Sequence, residues 1–160
     1  MKKIIAFAAI VLMSLSAFAQ SGKSIYTRYS DEKGVEAVYI SPNMFKLIGK
    51  IPDVNTGNGD VNLAPIIRNL SGFYLLSTSS PRVISDLSQD VQKLIKAGKY
   101  ELMMEAKDDG ETVRIYTENK GDDIVSLVFF SSEPDEVSFI CVDGLIKQEE
   151  LNILIDKSTR

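Results

Sequence analysis

Apolar and polar positions recur most regularly between Pro81 and Ala97. The apolar residues there are spaced three and four apart, which is the spacing of one face of an α-helix. Ser80 precedes Pro81 as a cap, and Gly98 follows as the residue that ends the helix. The pattern predicts an amphipathic helix that packs its apolar face on a sheet. The apolar positions are Val83, Ile84, Leu87, Val91, Leu94 and Ile95, and the polar face carries Asp86, Gln89, Asp90, Lys93 and Lys96.

Other segments are rich in β-branched, aromatic and apolar residues, as strands are. Asp108-Asp109-Gly110 separates two of them and supplies the positive φ that a tight hairpin needs. Shorter helices are predicted at Pro42–Ile48 and Gln148–Ile155. The order predicts an α+β fold: a mainly antiparallel sheet of about six strands, ending in a meander, with helices packed on one face. The predicted strands are Val35–Ile40, Gly72–Thr78, Tyr100–Lys107, Glu111–Glu118, Ile124–Phe130 and Glu136–Val142.

The N-terminus has the pattern of a secretory signal peptide. Lys2 and Lys3 precede an apolar run from Ile4 to Met13, and Ala17-Phe18-Ala19 is typical of a signal peptidase site. We therefore expect cleavage between Ala19 and Gln20 and a periplasmic or secreted protein. The apolar run is too short to span a membrane. The expected organisation is a signal peptide at 1–19, a lead-in at 20–34, a single α+β domain at 35–156 and a tail at 157–160.

Composition excludes several functions. The chain has 18 Lys and Arg, two of them in the predicted signal peptide, and 22 Asp and Glu, so the mature chain carries 16 minus 22, or −6. That charge argues against nucleic-acid binding. The absence of histidine excludes Ser-His and Cys-His nucleophile systems, while a Ser-Lys pair stays formally open.

The sulfur-containing residues are interpreted as structural. Cys141 alternates with Val137 and Phe139 on an apolar strand face, which predicts a buried and inert thiol. Met103 and Met104 lie in a strand pattern and are predicted to fill the core. Because Cys141 is the only cysteine, no lipid anchor is expected next to the cleavage site.

Three short segments carry a resemblance to a known family. Ile40-Ser41-Pro42-Asn43-Met44-Phe45, Tyr100-Glu101-Leu102-Met103 and Val142-Asp143-Gly144-Leu145-Ile146 resemble the domain-of-unknown-function family 4252. The resemblance covers roughly 35–155. It implies a small exported protein of Gram-negative gut-type bacteria, without defined catalytic residues. Some members resemble lipoproteins, from which this chain departs by lacking the anchoring cysteine.

Acidic and aromatic residues supply the remaining candidates. Asp53, Asn55 and Asp60 lie in a loop at 53–62 that could offer oxygen ligands to a metal, although the spacing of a calcium-binding EF-hand loop fails there. Two further groups are candidates. Carboxylates in turns could do acid–base chemistry. Tyrosines could form a partner surface or could pack at the edge of the core. These candidates are Asp108, Asp109, Asp122 and Asp123, and Tyr74, Tyr100 and Tyr116.

The leading hypothesis is a non-enzymatic binding or interaction domain of the cell envelope that needs no cofactor. Its partner would be an unknown envelope protein or a small ligand, with no membrane anchor in the mature chain. One alternative is a carboxylate-based hydrolase acting on a periplasmic substrate. The other is a metal-dependent module that uses the loop at 53–62.

Overall fold

The computed structural model describes residues 21–49, 64–150 and 152. None of the helices in these ranges is long and apolar enough to cross a membrane. The helices are α1 (Gly22–Tyr29), α2 (Pro42–Ile48), α3 (Ala64–Arg68) and α4 (Pro81–Ala97), and the strands are β1 (Val35–Ile40), β2 (Leu70–Thr78), β3 (Glu101–Asp108), β4 (Glu111–Lys120), β5 (Asp123–Ser132) and β6 (Val137–Ile146).

The strands form one antiparallel sheet in the order β1-β2-β6-β5-β4-β3. The last four strands are therefore a meander, and β6 returns to pair with β2. This confirms the predicted α+β fold. β5 and β6 occupy the centre of the sheet, as their nearly continuous apolar sequences require.

α1 and α4 lie side by side on one face of the sheet, and α1 lies over β2 and β6 while α4 lies over β6. Beneath them, alternate residues of β2, β5 and β6 point into the core, since successive residues of a strand face opposite sides. The apolar stripe of α4 supplies the other wall, so its predicted role is confirmed. The most deeply buried side chains include Leu76, Leu87, Leu94, Val128, Val137, Phe139 and Cys141.

α1 belongs to the core although its sequence is polar. Ser21 caps the helix through a reciprocal capping box with Ser24. Gly22 comes so close to the last strand that a Cβ atom there would lie 2.3 Å from the Sγ atom of Cys141. This contact lets Ile25 and Tyr29 reach the core. The lead-in is thus a structural element.

Asp90 joins the two long helices. Its carboxylate accepts hydrogen bonds from the Arg28 guanidinium at 2.5 Å, the Tyr29 hydroxyl at 2.8 Å and Lys93 Nζ at 3.0 Å. Its expected position on the solvent face of α4 was wrong, because it is only 2% exposed. Burial alone would raise the pKa of Asp90, but the bonds from Lys93 and Tyr29 and the charge of Arg28 outweigh burial and lower it.

Burial falls away toward β3. One row of directly paired residues crosses the whole sheet on the helix side: Tyr39, Tyr74, Cys141, Val128, Tyr116 and Leu102. Its middle members are buried and Tyr116 is half-buried, whereas both ends of the row are exposed, Tyr39 by 45% and Leu102 by 52%. The two helices therefore leave β4 and β3 largely uncovered on this face.

Most predicted bounds agree with the structure. Val35–Ile40, Pro42–Ile48 and Pro81–Ala97 are confirmed as predicted, and the other strands differ from their predicted bounds by up to four residues. Ala64–Arg68 is a helix that the sequence analysis did not predict. Of the predicted C-terminal helix, 148–150 and 152 are helical, and the remainder lies outside the described residues, as does the loop at 53–62.

Truncation of Leu87 to alanine should lower the free energy of unfolding by about 2 to 5 kcal/mol, because it leaves a cavity between α4 and the sheet. Gln89→Ala changes an exposed position on the same helix and should stay within about 0.5 kcal/mol. Urea denaturation of both variants and the wild type measures the difference. Equal stability of the two variants would contradict the assigned packing.

Candidate functional site

Polar side chains form one connected network inside the sheet, below α1. Ser126 Oγ donates to Asp143 Oδ1 at 2.8 Å, so the Tyr100 hydroxyl, also 2.8 Å away, donates to Ser126. Cys141 Sγ lies 3.4 Å from the same carboxylate oxygen and donates to it. These four groups resemble parts of a catalytic centre, but a reactive thiol or hydroxyl also needs a base and access.

The network does not provide access to the thiol. Cys141 is fully buried, which confirms the predicted burial, and Gly22 of α1 lies directly against its sulfur atom. Burial, together with the negative charge of Asp143, raises the pKa of the Cys141 thiol. Burial also raises the pKa of the Tyr100 hydroxyl. A protonated, covered thiol is a poor nucleophile. The hydrogen bond between Ser126 and Asp143 joins β5 to β6.

The predicted turn carboxylates do not meet. Asp108 and Asp109 lie at the β3–β4 turn, whereas Asp122 and Asp123 lie at the β4–β5 turn. β4 separates the two pairs, and its ten residues span about 30 Å. Paired catalytic carboxylates have to lie within about 10 Å of each other. The two turns therefore do not form a joint acid–base site.

The metal candidates Asp53, Asn55 and Asp60 lie outside the described residues. Within 21–49, 64–150 and 152, no group of three or more acidic or cysteine side chains is arranged to hold a metal ion. A metal-binding role for the loop at 53–62 therefore stays a prediction from the sequence.

A polar hollow of about 330 Å³ lies where β1, β2 and the start of α4 meet. Glu36 and Glu136 both line it, and the Ser77 hydroxyl donates to Glu136 at 2.7 Å. Ser138 Oγ lies 3.1 Å from Ser77 Oγ. These hydroxyls already have partners, and Glu36 is exposed to solvent. Two glutamates thus face one shared space in this hollow.

The second concave feature is a groove between α4 and the outer hairpin. It holds a cavity of about 140 Å³ whose walls are mainly apolar. α4 supplies one wall, and β4 and β5 supply the floor. We call this feature the hairpin groove; its lining residues are Val91, Gln92, Ile95, Lys96, Arg114, Tyr116 and Phe130.

Positive charge flanks the hairpin groove. Lys96 stands on the α4 side and Arg114 on the β4 side, while Lys107 lies next to the groove on β3. Glu105 forms ion pairs with both Lys107, at 2.9 Å, and Arg114, at 2.7 Å. Hydrogen bonds from those two cations lower the pKa of Glu105, which holds it ionised. The two charged residues that line the groove, Lys96 and Arg114, are both cationic, on a protein that is acidic overall.

The β3 edge continues this surface. All eight residues of β3 are exposed, and Leu102, Met103 and Met104 are 52%, 61% and 48% exposed. The prediction that Met103 and Met104 fill the core was wrong, because β3 is the last strand of the sheet and no described helix covers it. A run of three exposed apolar residues on a sheet edge is typical of an interaction surface.

The predicted tyrosines divide between the two roles. Tyr74 is buried and stacks on Tyr39 with ring centroids 5.4 Å apart, and Tyr100 belongs to the internal network. Tyr116 lines the hairpin groove. The sequence analysis missed Ile95 and Lys96 as site residues. Both residues lie near the C-terminal end of an amphipathic helix. That position indicates a groove only when it is known that Tyr116 lies beside them on the sheet.

These features define a small antiparallel α+β domain with one helix-covered face and an open outer hairpin. Over residues 29–154 the chain matches the model of a family described as a domain of unknown function, DUF4252, and it belongs to that family. This confirms the resemblance seen in the sequence. No curated protein and no solved structure matches the chain.

Cys141 should resist alkylation by iodoacetamide in the native protein at pH 8 and react fully in guanidinium chloride, because burial removes access and disfavours the thiolate. Mass spectrometry of the labelled protein gives the modified fraction. The unfolded sample is the internal control for reagent activity. Complete labelling of the native protein within minutes would show that the thiol is open to solvent.

Proposed function

We propose that the protein acts outside the cytoplasm, in the cell envelope, as a non-enzymatic domain that binds another protein. The observation that carries this proposal is the continuous surface made by the hairpin groove and the β3 edge. It combines a concave apolar floor with exposed Leu102, which pairs with Tyr116 on the same face of the sheet, and with exposed Met103 next to it on the edge strand. Such a combination is typical of protein-binding sites.

The chemistry of the interior supports a binding role. The chain has no histidine, and its thiol is buried and protonated. Ser126 and Asp143 are occupied by hydrogen bonds within the sheet. The groups best suited to nucleophilic catalysis therefore stabilise the fold.

The proposed location outside the cytoplasm rests on the N-terminal pattern. Lys2 and Lys3, the apolar run and Ala17-Phe18-Ala19 predict removal of 1–19 and export. An exported domain with an exposed methionine-containing edge has to meet its partner in the envelope or beyond it.

A carboxylate-based hydrolase is the second candidate, and the polar hollow favours it over other enzymes. Glu36 and Glu136 line one space of about 330 Å³, which is large enough for part of a small substrate. The binding proposal ranks first because Glu36 is exposed and Glu136 already accepts a bond from Ser77.

Site-specific photo-crosslinking in living cells tests the binding role. A photoreactive amino acid in place of Met103 or Gln92 should give a discrete protein adduct in the envelope fraction. The same residue placed at Lys33 or Asp86, which are exposed away from the groove, should not. Envelope adducts confined to the groove positions support the proposal.

Two kinds of result, one from crosslinking and one from activity, would overturn the binding role. One is the same adduct pattern at all four positions, or no adduct at any of them. The other is turnover of a polysaccharide or ester substrate that both Glu36→Gln and Glu136→Gln abolish, which would favour the hydrolase.

A further inference from the structure

Within residues 21–49, 64–150 and 152, the helix layer on this face is narrower than the sheet. Six strands about 4.8 Å apart place the outer strands roughly 24 Å apart, and neighbouring helices pack about 8 to 10 Å apart. α1 and α4 account for two helices on this face, over the half of the sheet that contains β2 and β6. The uncovered strip over β4 and β3 has about the width of one helix.

The groove offers one apolar anchor point at the inner side of that strip. Its cavity of about 140 Å³ is enclosed by Ile95, Tyr116 and Phe130. A space of that size holds a single large side chain, since an apolar cavity of about 150 Å³ takes up one benzene molecule. Most small-molecule sites are larger, at about 300 Å³ or more. The dimensions favour a side chain projecting from a macromolecule over a free small ligand.

The outer side of the strip is apolar and adaptable. Leu102 stands directly opposite Tyr116 across the β3–β4 ladder, and Met103 follows it. Methionine side chains adjust their shape to different partners, and surfaces that bind amphipathic helices use this property.

The β3 edge is less suited to an added strand. Its ladder with β4 shifts register between Leu102 and Met104, which is a bulge. Bulges and charged residues on an edge disturb regular strand addition. The charged residues of β3 are Glu101, Glu105, Lys107 and Asp108.

The charged residues beside the groove indicate which side chains the partner should carry. Lys96 and Arg114 stand on opposite walls of the groove, and Lys107 lies beyond Arg114. Glu105 balances one of these three charges. A helix in the strip would place its flanking residues beside these cations, and carboxylates are the side chains that pair with them.

We infer that the hairpin groove binds an amphipathic helix of another protein, with an apolar stripe flanked by Asp or Glu, as the third helix on this face of the sheet. This inference rests on the proposed binding function and names the partner's chemistry. One large apolar side chain of the helix enters the cavity beside Tyr116. Its carboxylates pair with Lys96 and with the cations on the hairpin.

Selection from a displayed library tests the inference. The probe is a phage library of single helices on a fixed scaffold, randomised on one face and panned on the protein purified after expression of the full chain. We expect enriched clones to carry apolar residues at helical spacing with Asp or Glu beside them. Lys96→Glu should weaken their binding at least about tenfold, whereas Lys33→Glu, an equal charge change at a distant exposed site, should leave it within about twofold.

Other outcomes contradict the inference. Clones with basic flanks, clones that are insensitive to Lys96→Glu, or no enriched clone at all would each overturn it. A concentration-dependent dimer that Lys96→Glu dissociates would overturn it as well, because a second copy would then fill the groove. If envelope adducts form at Met103 but any of these results is obtained, the protein binds a partner that is not an acidic amphipathic helix. If acidic clones are enriched but no envelope adducts form, the proposed binding function itself is wrong.

Discussion

A sheet of six strands is roughly 24 Å wide between its outer strands, and two helices on one face do not cover that width. The core therefore lies where α1 and α4 sit, over β2, β6 and β5, and it ends at Phe130 and Tyr116. Burial changes along a single row of paired residues, from Cys141 and Val128 in the middle to Leu102 at the edge. The hairpin groove exists because, among the described helices, none lies beyond α4 over β4 and β3.

Polar groups inside the molecule keep the two helices in that position. Asp90 accepts hydrogen bonds from Arg28, Tyr29 and Lys93 at the α1–α4 contact. Because the carboxylate is buried, the loss of a partner would lower the stability of the fold. The chain formed by Tyr100, Ser126, Asp143 and Cys141 ties the end of α4 to β5 and β6 in the same way. Both clusters are satisfied by hydrogen bonds within the molecule. What remains free for function is the surface, where apolar and cationic residues meet.

Local patterns predicted the elements well because the determinants are local. Pro81 in the first turn and the three-to-four spacing of the stripe set α4, although the Ser80 side chain makes no capping hydrogen bond at the N-cap position. The alternation of Val137, Phe139 and Cys141 indicated the buried face of β6. Whether a strand is covered depends on distant elements, so Met103 and Met104 were assigned to the core wrongly. Asp90 was placed on the solvent face for the same reason, since its partners lie on α1. The groove joins Ile95 to Tyr116 only after folding, and no spacing in the sequence shows it.

Methyl NMR with a soluble paramagnetic agent measures solvent access to the outer hairpin. The methyl signals of Leu102, Met103 and Met104 should lose intensity as strongly as those of Leu47, which is exposed on α2, while the signals of Leu87 and Val128 should persist. Protection of the three β3 residues to the level of Leu87 in the monomeric protein would contradict the account.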